Sequence, residues 1–322
     1  MIELLLDNRD GNIFNISDLV DEITWKTKRK SSASSIEFKC MNTGDFTFNN
    51  GDVLSLKVGD EKVFYGYILN EGYSSSTDMK NVTAYDQTRY LMSNDTYVFI
   101  NKKASEIIAK IASDFNLRVG TIEDTGYVIP SFVEDNKKVL DIIYSALDKT
   151  VMATGVTYVL CDDFGYLCLK SINNLKQEIV ISDTSNLLDY DANKSIEESY
   201  NKVKIVKDNK DTKGRDVYIT QDSKNIAKWG MLQYYYKADD NMNAVQVKEM
   251  AEKTLKLKNV EKKTLKLKVI GTSLKDDIKL RAGTGVFTQI EKLGYNQYFL
   301  IEEATHTISA DEHTMNFDMK VI

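Results

Sequence analysis

The sequence predicts a mainly β fold with an inserted α+β unit, and three observations carry that expectation. Two widely separated stretches repeat one strand–turn–strand pattern, and the residues between them switch to helical spacing. A single proline, Pro130, leaves the strand patterns unbroken. The expected division is a first β domain at residues 1–96, an inserted α+β domain at 97–195, and a second β domain with one helix at 196–322. A duplicated β-module matters because few subunits can then close a ring of many repeated elements.

Taken in order, Met1-Ile2-Glu3 begins a strand, Ile23 and Trp25 belong to another, and Ile36, Phe38 and Cys40 alternate with Glu37 and Lys39 as a half-buried strand does. The polar stretch Lys26 to Ser35 reads as the loop joining these two. Gly51-Asp52-Val53 then opens the first hairpin: Leu54, Leu56 and Val58 alternate with Ser55 and Lys57, Gly59-Asp60-Glu61 turns, and Val63 to Leu69 returns. Val82 and Ala84 mark a further strand.

After Asn101, read as an N-cap, Ala104, Ile107, Ile108, Ile111, Ala112 and Phe115 follow helical spacing. A second helix follows Asn136, with Val139, Leu140, Ile143, Ala146 and Leu147 on one face. Thr157 to Cys161 and Tyr166 to Lys170 form a hairpin around the turn Asp162-Asp163-Phe164-Gly165.

Val203 with Ile205, and Val217 with Ile219, make two strands around the polar turn Asp208 to Gly214. A helix runs from Asn243 to about Lys258 with Val247, Met250, Ala251 and Leu255 inward. The hexapeptide Lys-Thr-Leu-Lys-Leu-Lys occurs at 253–258 and again at 263–268. Context makes the first copy a helix end and the second a strand with Leu265, Leu267 and Val269 on one face. The second edition of the hairpin is Gly283-Thr284-Gly285-Val286 through Phe287 to Ile290, the turn Lys292-Leu293-Gly294, and the return Tyr298 to Glu302. Met315, Phe317, Met319 and Val321 then alternate with Asn316, Asp318 and Lys320.

Composition narrows the function classes. The 322 residues exceed one ordinary core, and the 42% hydrophobic and 28% charged content belongs to a folded chain. A net charge of −6 gives no overall attraction to nucleic acid or an anionic membrane. No apolar run reaches the roughly 20 residues that span a bilayer, so the expectation is a protein made in the cytoplasm with no membrane partner. Cys40, Cys161 and Cys168 lack the spacing of a zinc site or a disulfide framework and read as reduced, packed thiols.

His306 and His313, with Asp311 and Glu312 beside the second, sit on a strand-turn-strand segment where they can approach each other, yet they match no metal-ligand spacing. The acid pairs Asp162-Asp163, Asp239-Asp240 and Asp276-Asp277 are accounted for by turn geometry before hydrolysis by paired carboxylates. Gly283-Thr284-Gly285 precedes a strand and so reads as a tight turn with positive φ, not a phosphate loop. The seven lysines between Lys253 and Lys268 have no interleaved aromatics, so solvated faces account for them and no specific nucleic acid is expected. No catalytic, cofactor or metal set assembles, and the expectation is a protein that is not an enzyme. Lys26, Lys28, Arg29 and Lys30 remain the candidate partner-contact residues.

Several segments together resemble the XkdQ-like baseplate hub proteins of PBSX-type prophages and phage-tail-like bacteriocins, related to the late control D hubs of contractile tails. The segments are Asp18-Leu19-Val20 with Ile23-Thr24-Trp25, Gly51 to Tyr67, Ala84 to Leu91 leading into the Ala104 helix, and Tyr200 to Val203. Asp222 to Gly230, and Ala282-Gly283 through Tyr298 to Thr305-His306 and His313-Thr314-Met315, complete the ordered set. The resemblance implies two tube-like β-barrel domains flanking the insertion, and a homotrimer whose six barrels meet a hexameric tail tube on one side and a trimeric spike on the other. It implies a structural symmetry adapter with spike, tube and other baseplate subunits as partners, assembled in the bacterial cytoplasm and carried in a released particle. Some hubs of this class carry a fused lytic domain; ending at Ile322, the chain is expected to leave cell-wall degradation to another subunit. The competing readings are a peptidoglycan hydrolase on a β-scaffold and a monomeric binding module.

Overall fold

The computed structural model describes residues 2–209 and 213–321, and the chain is mainly β. The first region holds β1 (Ile2–Asp7), β2 (Ile13–Asn15), β3 (Val20–Lys28), β4 (Ser35–Met41), β5 (Val53–Val58), β6 (Glu61–Ser74) and β7 (Met79–Tyr85). Alternating side chains of these strands fill one core, including Leu4, Leu6, Trp25, Ile36, Leu54, Leu56 and Ile68. The middle region holds β8 (Asn94–Lys103), α1 (Ala104–Asp114), β9 (Val119–Ile122), β10 (Val128–Lys138), α2 (Val139–Thr154), β11 (Tyr158–Asp162) and β12 (Leu167–Ser171). Its helices bury Ile107, Ile108, Ile111, Leu140 and Ile143 against Phe132 and Leu169 in a second core.

The last region contains β13 (Lys176–Ser182), β14 (Leu187–Ser195), β15 (Lys202–Asn209), β16 (Gly214–Gln221), α3 (Ser223–Trp229), β17 (Gln233–Lys237) and α4 (Ala244–Lys258). It ends with β18 (Lys262–Ile270), β19 (Gly285–Ile290), β20 (Tyr295–Ser309) and β21 (His313–Val321). Here β16, β15 and β17 form a small separate sheet whose Val203 and Ile205 pack under Val247 and Met250 of α4. The turn expected over 208–214 falls partly on residues 210–212, outside the described residues.

The duplicated ends are duplicated in structure. In the first region neighbouring strands run β3-β4-β7-β6-β5-β1, and in the last they run β14-β18-β21-β20-β19-β13. The hairpin geometry repeats bond for bond. Gly51 (φ 97°) donates its N–H to Ile68 O at 2.7 Å, and Ile68 N–H returns to Asp52 O at 2.9 Å. Gly283 (φ 92°) donates to Ile301 O at 2.8 Å, and Ile301 N–H returns to Thr284 O at 3.0 Å. Both hairpin turns contain a left-handed glycine, Gly59 at the start of the first and Gly294 at the end of the second. One strand differs: β1 meets β5 antiparallel, whereas β13 meets β19 parallel.

The two editions are joined edge to edge. The first half of β20 pairs with β19, and its second half pairs with β3, from Glu303 opposite Lys28 to Ser309 opposite Glu22. One continuous sheet therefore runs through both ends of the chain, and the middle region leans on it.

Several expectations shift. Strand β3 continues through Lys26 and Lys28, so those residues are not in a loop; pairing with β20 holds the polar end of the strand extended. Strands β13 and β14, assigned by position to the insertion at 97–195, hydrogen-bond to β19 and β18 of the large sheet. Asn101 and Asn136 are left-handed residues inside β8 and β10, and α1 begins after Lys103, whose N–H is accepted by Glu106 Oε2 at 2.8 Å. Asn243 does cap α4, accepting from Gln246 N–H at 2.9 Å.

Candidate functional site at the three-way junction

The basic cluster at the end of β3 and just past it lies where the first, middle and last regions meet, and each of its cations has an acid within the chain. Lys26 pairs with Glu37 on β4, Lys28 with Glu303 on β20, and Lys30 with Asp148 on α2, all at 2.9 Å. Arg29 is different in kind. Its side chain is 6% exposed, Nε donates to Glu302 Oε2 at 2.7 Å and Nη2 to Oε1 at 2.8 Å. Its carbonyl accepts from the Tyr144 hydroxyl of α2. Arg29 thus ties β3 to β20 and to α2, while Lys26, Lys28 and Lys30 keep half-exposed ammonium groups at the rim.

Beside this knot, a small cavity is lined by Arg29, Asp86, Tyr144, Cys161, Asp162 and Arg281, among others. Asp86 caps the turn after β7, accepting from Thr88 N–H at 2.9 Å and from the Thr88 and Ser34 hydroxyls. Asp162 closes the β11–β12 turn: Oδ1 accepts from Gly165 N–H at 2.7 Å and Oδ2 from Gln87 Nε2 at 2.8 Å. Burial, reinforced by the Asp86 carboxylate, pushes the Asp162 carboxyl up to about 7, and burial also raises that of Asp86. From the last region, Arg281 Nη1 donates to Asp162 O at 3.1 Å, and Ala282 N–H to Thr27 Oγ1 at 2.9 Å.

The two histidines are brought together. His306 Nε2 donates to Leu280 O at 2.9 Å, which leaves Nδ1 to accept from His313 Nε2 at 3.0 Å. The rings stack, Trp25 covers His306 with centroids 5.0 Å apart, and burial pushes the His306 imidazole down to about 3. His313 Nδ1 faces Asp277 at 3.9 Å. Among the described residues no group of His, Cys, Asp and Glu is arranged to hold a metal ion. The pair is neutral core structure at the β3–β20 seam.

The acid pairs do turn work. Asp239 accepts from Asn241 N–H at 3.0 Å, and Asp277 from Thr272 and Ser273 N–H at 2.7 and 2.8 Å. Asp163 lies 3.6 Å from Arg281. The acids that do meet, Asp86 and Asp162, border a cavity of about 30 Å³, room for water and not for a sugar ring. The lysine-rich stretch acquires aromatics from elsewhere: Lys258 lies over Tyr234 at 4.6 Å, and Lys263 over Tyr295 at 5.7 Å. Asp86, Tyr144, Arg281 and Glu302 carry no local signal, because the junction assembles them from every region of the chain. No helix is long and apolar enough to cross a membrane among the described residues.

A family model described as YQBQ-like matches residues 23–320. Protein YqbQ of Bacillus subtilis (strain 168), itself uncharacterized, is 31% identical over 279 residues, 85% of this chain and 82% of that one. Phage-like element PBSX protein XkdQ of the same organism is 29% identical over 310 residues, 94% of this chain and 92% of that one. Among solved structures, the 43 kDa tail protein of prophage MuSo2 from Shewanella oneidensis shares the fold at a TM-score of 0.70 and 16% identity, covering 98% of each chain. The E. coli c3393 protein is similar at a TM-score of 0.55 and 10% identity, over 93% of this chain and 73% of that one. It is described as a type VI secretion component with structural similarity to the T4 phage tail proteins gp27 and gp5.

Proposed function

The chain belongs to the YQBQ-like family, and on that premise we propose that it is a structural protein of a phage tail or phage-tail-like particle, acting as the baseplate hub. In this reading each six-strand edition curls into a tube-like barrel, and three chains present six barrels to a hexameric tube and a threefold face to a central spike. The observation that carries it is the repeated module: the same strand order and the same Gly51/Gly283 hairpin bonds occur twice in one chain, fused through β3 and β20. The likeness to tail proteins over nearly the whole chain, and to a secretion component that resembles gp27, supports the same reading. The pairing of β13 with β19 and of β14 with β18 supports grouping both strands with the last region in this reading, with 97–175 as the inserted domain. The hub is proposed to be assembled in the bacterial cytoplasm, to act without a cofactor, and to perform no catalysis.

Light scattering tests the assembly. The expected mass is about three times 36.6 kDa for the chain alone, or that plus the mass of the spike when the partner is bound, and a chain that stays monomeric under both conditions refutes the trimer. The proposed docking residues are Lys26, Lys28 and Lys30, because their ammonium groups stay accessible while their intramolecular pairs are of the exposed kind, worth about 0–1 kcal/mol each. Their reversal to glutamate should leave the chain folded and reduce particle yield; unchanged yield makes them ordinary surface charges.

A further inference from the structure

One surface carries cations that no acid of the chain answers. Tyr65 and Tyr67 stand two residues apart on β6, on the face opposite the buried Phe64 and Ile68. Phe164, from the β11–β12 turn, meets Tyr65 with centroids 5.6 Å apart, Tyr65 meets Tyr67 at 6.2 Å, and Tyr67 meets Tyr90 at 5.8 Å. A cation covers each of the first three rings: Lys62 over Phe164 at 5.3 Å, Arg118 over Tyr65 at 5.6 Å and Arg9 over Tyr67 at 5.0 Å. All three cations are exposed, and among the described residues none has an ion pair. Asp7 takes the backbone N–H of Arg9 at 2.8 Å and not its guanidinium.

The geometry of this strip selects what it holds. Its rings meet at steep angles, 83° between Tyr65 and Tyr67, and cations already lie over them, so nucleic-acid bases find no open face on which to stack. The guanidiniums of Arg118 and Arg9 form the outer layer, and a guanidinium grips a carboxylate through two parallel hydrogen bonds. The rings beneath them are 6.2 Å apart. Alternate residues of an extended strand lie about 6.5–7 Å apart, so the strip fits an extended segment with acids at every second position.

The chain itself carries such a segment. Asp189 and Asp191 of β14 are exposed and flank Tyr190, which turns toward the core of the last region. Lys268 and Lys266 stand opposite them on β18 without an ion pair to either, and Lys266 reaches Asp318 instead, at 3.7 Å. Strand β14 is one end of the continuous sheet, and β6, β5 and β1 lie toward the other. An acidic edge at one end and a cationic strip at the other are the two unlike surfaces that a head-to-tail ring requires.

We propose that the β14 edge of one copy, through Asp189 and Asp191, docks on Arg9 and Arg118 above Tyr65 and Tyr67 of the next copy, closing the ring head to tail. The contact rests on the trimer reading given above and names the surfaces that would build it.

Light scattering and circular dichroism on full chains test it. The wild type reports on the trimer reading: if it is monomeric with and without the spike, both fall. Under the condition where the wild type is trimeric, Asp189→Lys with Asp191→Lys, and separately Arg9→Glu with Arg118→Glu, should each give folded monomers. All four reversals in one chain should restore the trimer, which a damaged fold cannot do. Should a reversed chain fail to fold, the neutral pairs Asp189→Asn with Asp191→Asn and Arg9→Gln with Arg118→Gln replace it, and each should raise the concentration at which the trimer dissociates about tenfold or more. Reversed chains that stay trimeric, a combined reversal that stays monomeric, or neutral pairs that leave dissociation unchanged overturn the contact while the trimer stands. Reversal of the strip that spares the trimer but lowers particle yield gives the strip to an acidic segment of another subunit, and overturns the self-contact as well.

Discussion

Arg29 and Glu302 form a two-point ion pair across the seam between the two editions of the β-module, with both guanidinium–carboxylate bonds under 3 Å. They stand 273 residues apart in sequence. Because Arg29 is buried, loss of its partner leaves a charge that water cannot reach. Glu302→Gln should therefore cost about 3–5 kcal/mol, read as a lowered midpoint in thermal or urea unfolding. A shift no larger than that of Lys26→Ala would show that the seam does not depend on the pair.

The paired glycines make a controlled comparison. Gly51 and Gly283 share the same positive φ, so alanine strains the backbone at both, by about 1–3 kcal/mol. Only at Gly283 is there also a steric conflict, since a Cβ would come within 2.4 Å of Val159 Cγ1, whereas nothing lies within 4 Å at Gly51. Gly283→Ala should lower stability clearly more than Gly51→Ala. Equal losses would mean that the last region does not press on β11 at that point.

Two buried groups pull the pH profile in opposite directions. The Asp162 carboxyl rises from 3.8 to about 7 on folding, so its contribution is greatest below about 3.8 and is lost as pH rises through 7. The His306 imidazole falls from 6.5 to about 3, so its contribution is present above 6.5 and is lost as pH falls toward 3. Between about pH 4 and 6.5 the two offset each other, each by up to about 1.4 kcal/mol per pH unit. Asp162→Asn removes the acid-side gain and should steepen the loss of stability over that window. Parallel profiles for wild type and variant would show that Asp162 titrates normally.

What the sequence made legible was whatever repeats locally. The two hairpins, the strand of Leu265, Leu267 and Val269, and the helix capped by Asn243 are all set by neighbours within a few residues, and all are present. Strand β8 was missed because Tyr97, Val98, Phe99 and Ile100 are apolar without alternation. Strand β14, Leu187–Ser195, was missed because its aspartates, asparagine and alanine disfavour strands and only the ladder with β18 holds them extended. The junction was beyond reach for a different reason: Arg29, Asp86, Tyr144, Asp162 and Arg281 acquire their chemistry from burial and mutual distance, which no local spacing encodes.

The length of β20 has a mechanical consequence. A single strand that keeps β21 of its own edition along one edge and offers its other edge first to β19 and then to β3 of the other edition acts as a splint across them. Tension that draws the two editions apart along that strand loads the rungs from Glu303–Lys28 to Ser309–Glu22 in parallel, because antiparallel hydrogen bonds lie across the strand direction. Such a joint yields only when many bonds fail together, while tension at right angles would peel it rung by rung. The chain is thus stiff along the axis of β20 and weak across it, which fixes the direction in which a load can pass through it without separating its halves.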